Sequence, residues 1–101
     1  MFIFEDIIAL DDSSIQRVMR EVESKDLAKA LKGASEEVKD RILRNISKRA
    51  GDMLKEDLEF MGPVRLREVE EIQQQIVSII RRLDESGEII ISRGGEDAII
   101  A

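Results

Sequence analysis

The chain has no cysteine, no histidine, no tryptophan and no tyrosine, and only one proline and three phenylalanines among its 101 residues. Each absence excludes something. Without cysteine there are no disulfides, no thiolate nucleophile and no thiolate metal site, and a reducing compartment fits. Without histidine the usual general base and the commonest metal ligand are gone, and a Ser-His-Asp triad is impossible. With 3% aromatics, a core must be built from Ile, Leu, Val and Met, and platforms for stacking bases are poorly supplied. A net charge of −6 argues against nucleic acid as a partner, because phosphate binding needs a basic surface. No apolar run approaches the roughly 20 residues that span a bilayer. Phe2-Ile3-Phe4 is too short for a signal peptide and is followed at once by Glu5 and Asp6. Direct membrane insertion is therefore not expected. Neither phosphate-loop pattern, G-x-x-x-x-G-K-[ST] or G-x-G-x-x-G, is present.

What is present is a dense mixture of apolar residues (43%) and charges (38%), enough to fold one small domain. The periodicity predicts an all-α protein, a compact bundle of about five to six helices with a short extended C-terminal segment. Glu5 to Leu10 reads as a short helical turn. Asp11 to Ser14 offer N-caps for a helix over Ile15–Val22, with Ile15, Val18, Met19 and Val22 at helical spacing. Ser24 is expected to cap a helix that Gly33 ends as a C′ residue. Ser35 with Glu36 and Glu37 opens the next, striped by Val38, Ile42 and Leu43. After a break at 45–47, Ser47 caps a helix that Gly62-Pro63 closes. Leu66 to about Leu83 is the longest element, with Val69, Ile72, Ile76, Ile79, Ile80 and Leu83 as the spine of the core and Gln73 to Gln75 as a polar face. A turn at 84–87 leads to the extended segment 88–92, and 93–101 reads as a tail. The apolar opening Phe2-Ile3-Phe4 has two readings: packing at a joint with preceding sequence of an excised domain, or folding back onto this domain's own core.

The helix after Ser47 carries its charges in the wrong order. A helix is partially positive at its N-terminus and partially negative at its C-terminus, so acids belong early and bases late. The helices around it comply: Glu36 and Glu37 precede Arg41 and Arg44, and Glu68, Glu70 and Glu71 precede Arg81 and Arg82. Here Lys48 and Arg49 come first, and Glu56, Asp57 and Glu59 come late. Each misplaced charge costs about 0.3–1 kcal/mol at an exposed site. One disobedient helix among obedient ones points to a surface chosen for something other than stability; the alternative is a solvated face with incidental order. At 100° per residue, Ala50, Leu54, Leu58 and Met61 share the apolar face. Arg49, Asp52, Glu56 and Glu59 lie opposite, and Asp57 sits at the margin, within reach of a neighbour such as Arg65.

Carboxylate pairs such as Asp11-Asp12, Glu36-Glu37 and Glu56-Asp57 are poor metal cages, because adjacent helical residues do not face each other. Capping and solvation account for them. Enzyme activity is not expected, and no cofactor or metal is implied. The reversed helix is suited to electrostatic docking. Opposite charges 4 Å apart gain about 1 kcal/mol in water and about 4 kcal/mol at an effective dielectric of 20, and salt screens them beyond about 8 Å. Such contacts form and release quickly. A generic helical adaptor that holds an amphipathic peptide in a groove is the alternative.

Five segments, in this order, resemble the C-terminal domain of the flagellar motor switch protein FliG: Met1-Phe2-Ile3-Phe4-Glu5-Asp6, Ala30-Leu31-Lys32-Gly33-Ala34-Ser35, Asn45-Ile46-Ser47-Lys48-Arg49-Ala50, Gly62-Pro63-Val64-Arg65-Leu66, and Ile80-Arg81-Arg82-Leu83 followed by Gly87-Glu88-Ile89. The resemblance spans essentially the whole chain. It implies a stator-facing domain of a larger rotor protein in the basal-body C-ring, on the cytoplasmic face of the inner membrane. Neighbouring copies would form a ring. Charged residues of one helix would engage the cytoplasmic loop of the stator subunit MotA and transmit torque. Carried onto this sequence, those residues are Lys32, Arg49, Glu56, Asp57 and Arg65; Glu56 stands where the family commonly has Asp. Met1, Phe2 and Phe4 match the family's hinge motif, where rotation accompanies the choice of direction. Contacts with FliM and the membrane-ring protein FliF belong to preceding armadillo-like domains that this sequence does not contain.

Overall fold

A computed structural model describes residues 2–91. Met1 of the expected hinge motif, and Ser92 with the expected tail 93–101, lie outside the described residues. The described residues form a 3-10 helix, Phe4–Ala9, followed by five α-helices: α1 (Asp12–Met19), α2 (Ser24–Lys32), α3 (Glu36–Arg44), α4 (Lys48–Phe60) and α5 (Leu66–Glu85). No strand occurs among the described residues.

The helix starts follow from short-range chemistry. Ser35 accepts the Val38 N–H at the start of α3, and Ser47 accepts the Ala50 N–H at the start of α4, as expected of N-caps. Asp11 caps α1 by accepting the Ser14 N–H at 3.0 Å. That helix therefore begins earlier than expected and ends at Met19 instead of Val22. Hydrogen bonds from the Ser14 side chain and then its backbone hold the Asp11 carboxyl below its ordinary range. Ser24 is the first residue of α2 and not its cap; Glu23 occupies that position without a side-chain bond.

Gly33 differs from expectation in a more informative way. Its φ is −104°, so it is not a left-handed C′ glycine. It is needed for space: a Cβ there would stand 2.8 Å from Val69 Cγ1 of α5. The same close approach lets the Gln73 side chain donate to the Ala30 carbonyl at 2.9 Å, satisfying an end carbonyl of α2. Gln73 is thus part of the α2–α5 seam and not of an outer polar face.

α5 is the spine. Val69, Ile72, Ile76, Val77, Ile80 and Leu83 are buried along it, and α2 packs across it while α4 packs on α2. α5 runs to Glu85, further than the turn expected from 84. Gly87, at φ +82°, then reverses the chain: its N–H bonds to Asp84 O and that of Glu88 to Leu83 O, the paired bonds of a Schellman ending. Ile89 is thereby tucked into the core at 4% exposure, so the segment after the turn begins as a cap on α5.

The opening segment is also tied in. Phe4, Ile7 and Leu10 are buried, and Phe2 packs half-buried against them. Of the two readings of this segment, the structure has Phe4 in this domain's own core. Arg41 of α3 donates to the carbonyls of Ile8 and Leu10, and Glu5 accepts the Ser35 N–H.

Candidate functional site

α4 sits on one side of the bundle. Its inward face differs from the expected one by a roll. Gly51 and Leu54 are buried, Leu58 and Met61 are half-buried, and Ala50 is exposed. A Cβ at Gly51 would make an ordinary contact with Leu43 Cδ2, at 3.7 Å, and α4 packs chiefly on α2.

The reversed charge order is retained in the folded helix. α4 has no acid in its first turn and no base in its last, whereas α1, α2, α3 and α5 all have both. Arg65 continues the conflict. It is the N-cap residue of α5, with no side-chain cap bond, so a cation stands at the positive end of the longest helix.

Lys32, Arg49, Glu56, Asp57 and Arg65 are all exposed. Among the described residues, none of the five takes part in an ion pair or a side-chain hydrogen bond. The expected reach of Asp57 to Arg65 is not made. Some charges elsewhere in the bundle are committed within the fold. Lys29 bonds Glu68 at 2.8 Å, pinning α2 to the first turn of α5. That bond holds the Glu68 carboxyl below its ordinary range, with a smaller contribution from Arg65, and raises the Lys29 ammonium. At the far end Arg17 bonds both Glu21 and Glu88, which holds Glu88 low.

The structure brings Arg49, Glu56 and Asp57 together on α4 and sets Arg65 just past the Gly62-Pro63 corner, where Gly62 takes φ +71°. Lys32 stands apart, in the last turn of α2, where it complements that helix's dipole. Asp57 occupies the ridge between two depressions. One, of about 140 Å³, is mostly apolar, with Met19, Val22, Leu27, Ile46 and Met53 in its lining. The other, of about 440 Å³, is shallow and includes Lys25, Asp26, Lys29 and Phe60.

Sequence reasoning missed two residues of this face. Met53 is 56% exposed and Phe60 77%, both on the outer side of α4. The helical arithmetic applied to the charges would have found them. With Arg49 at zero, Met53 falls at about 40° and Phe60 at about 20°. Among the described residues no group of three or more acids is placed to hold a metal ion, and no helix is long and apolar enough to cross a membrane.

Comparison with known proteins gives a consistent result. Residues 1–91 match the family model described as the FliG C-terminal domain. The flagellar motor switch protein FliG of Thermotoga maritima is 63% identical over 100 residues, covering 99% of this chain and 30% of that protein. That of Borreliella burgdorferi is 60% identical, covering 99% and 29%. This chain therefore spans under a third of the length of those relatives. Among solved structures, a FliG fragment from H. pylori superposes with a TM-score of 0.86 at 36% identity, over 89% of this chain and 40% of that one. Full-length FliG from Aquifex aeolicus superposes with a TM-score of 0.83 at 44% identity, over 86% and 27%.

Proposed function

Because the chain belongs to the FliG C-terminal domain family, we propose that it is the stator-facing domain of a flagellar motor switch protein and transmits torque through the charges of α4 and its neighbours. The partner in this reading is the cytoplasmic loop of the stator subunit MotA. Arg49, Glu56, Asp57 and Arg65 make the principal contacts, with Lys32 at the edge. The domain works without catalysis, at the cytoplasmic face of the inner membrane, in a ring of like copies. FliM and FliF contact domains outside this chain. Met1, Phe2 and Phe4 act as the hinge to what precedes it.

One observation carries the proposal: α4 holds its bases early and its acids late, against its own dipole, and its exposed Arg49 and Glu56 have no partner among the described residues. Lys29, Glu68, Arg17 and Glu88 are committed within the fold; Arg49 and Glu56 are exposed, on one line, in an order that opposes the helix dipole. A sequence selected for stability alone would not place them so. Exposed, hydrated charges suit a contact that is made and broken repeatedly, since each pair is worth about 1 kcal/mol or less.

The adaptor reading is less well supported. The apolar depression beside Asp57, at about 140 Å³, is smaller than the roughly 300–1,000 Å³ of ordinary ligand pockets, and the one of about 440 Å³ is shallow and lined largely by charged residues, unlike the apolar groove that an amphipathic peptide enters. A salt series on binding to a peptide of the stator loop separates the two. A torque surface loses affinity steeply as salt rises, and a groove binder keeps it. Salt-independent binding that Arg49→Ala leaves unchanged would reject the proposal.

A further inference from the structure

The outer ridge of α4 alternates charged and apolar side chains: Arg49, Met53, Glu56, Phe60. Helical arithmetic places all four within about 60° of one another. Gly51, Leu54 and Leu58, which turn inward, lie about 140–200° from Arg49 on the same wheel. Arg49 and Glu56 lie opposite the buried face, where an amphipathic helix is expected to be polar; Met53 and Phe60 stand on the same line but lean to the side that borders the two depressions. Single exposed apolar residues are ordinary. Here, however, two large ones, 56% and 77% exposed, share one line with the two unpaired charges. A purely electrostatic surface has no use for them, and water is a poor environment for both.

Resting on the stator reading above, we infer that this ridge receives an amphipathic α-helix of the partner, with a carboxylate set against Arg49, a basic group set against Glu56, and apolar side chains against Met53 and Phe60. The charges fix the chemistry of the occupant. Arg49 and Glu56 are two turns apart, about 10 Å at 1.5 Å per residue. A partner helix offers the same spacing on one face. A strand does not, because its same-face residues recur at about 6.8 Å and then 13.6 Å. A second copy of this chain fits less well. Antiparallel pairing that sets Arg49 against Glu56 of the other copy sets Phe60 against position 45. Asn45 lies past the end of α3 and is bonded to Asp12 and to the Arg41 carbonyl, so Phe60 would meet a polar group. Two chains of charge −6 also repel.

The apolar pair gives the docked state an attraction that salt does not screen, on the same line as one that it does. The charges govern approach and register, and Met53 and Phe60 hold the partner once seated.

The test is calorimetric titration of this chain with a synthetic stator-loop peptide at low and high salt, comparing the parent with Met53→Ser/Phe60→Ser and with Arg49→Ala/Glu56→Ala. Thermal unfolding of each variant establishes that it is folded. The apolar double variant is expected to bind about tenfold more weakly at both salt concentrations, with the salt slope unchanged and a less negative heat capacity of binding. The charge variant is expected to lose most of the salt slope. An apolar variant that binds as tightly as the parent overturns this inference and leaves the torque-surface reading standing. A charge variant that keeps the parental slope overturns that reading, and with it this one. A dimer in sedimentation that Phe60→Ser abolishes would assign the ridge to a second copy and also overturn the inference.

Discussion

Arg49 and Glu56 stand two turns apart on the same side of α4, both exposed, and neither bonds to another side chain among the described residues. Both are misplaced for the helix that carries them. Stability and function therefore respond to their substitution in opposite directions.

Arg49→Glu puts an acid in the first turn of α4, where the dipole favours it. Thermal or urea unfolding should show stability unchanged or raised by about 0.3–1 kcal/mol, within the usual range for exposed sites. Motility of cells carrying the same change in the full-length rotor protein should fail. A variant that unfolds would make Arg49 a structural residue.

Leu54→Ala is expected to lower stability by about 2–5 kcal/mol, since Leu54 is 4% exposed. Leu58→Ala should cost clearly less, because Leu58 is only half-buried on the rolled helix. Equal losses by denaturant titration would show that the inward face is not centred between Gly51 and Leu54.

Gly33→Ala should destabilise by about 1–3 kcal/mol, as overpacking does. The new methyl meets Val69 Cγ1 at 2.8 Å, and a β-branched side chain has little freedom to turn away. Val69→Ala in the same chain should recover part of that loss. A double-mutant cycle reads the coupling directly; additive effects would contradict it.

Acid should weaken the α2–α5 clamp. The Glu68 carboxyl is held below its ordinary value of 4.5 by Lys29, and Glu88 likewise by Arg17. A depressed carboxylate stabilises the fold above its unfolded pKa, and that contribution disappears as pH falls through the folded one. Stability should therefore fall with pH below about 4.5, and Lys29→Met should flatten the fall. The bond of Lys29 itself persists through neutral pH, because its own raised value delays loss to strongly alkaline solution. An unaltered acid limb in Lys29→Met would show the clamp to be inert.

Much of this was legible in the sequence because it is local. Ser35 and Ser47 cap the residues three positions on, the apolar stripe of α5 is a period, and the charge inversion of α4 is an order along one helix. What was not legible depends on residues far apart in the chain. Gly33 looked like a helix stop, and only the approach of Val69 shows that it is a spacer. The roll of α4 belongs to its packing on α2, and Gln73 is drawn inward by Ala30. Arg41, which serves its helix dipole, also reaches back to the carbonyls of Ile8 and Leu10. Met53 and Phe60 are local as well: the wheel that separates the charges of α4 from its apolar face sets both beside Arg49, and the reading of that helix left them unplaced.

The central claim is that the free charges of α4 act on a partner and not on the fold. The most direct measurement is torque, from the rotation of beads tethered to flagella, in cells whose full-length rotor protein carries Arg49→Glu with Glu56→Lys, a change that inverts both signs and keeps the net charge. Rotation is expected to stop while the purified domain melts at or above the parental temperature. Parental torque from that inverted ridge would contradict the account.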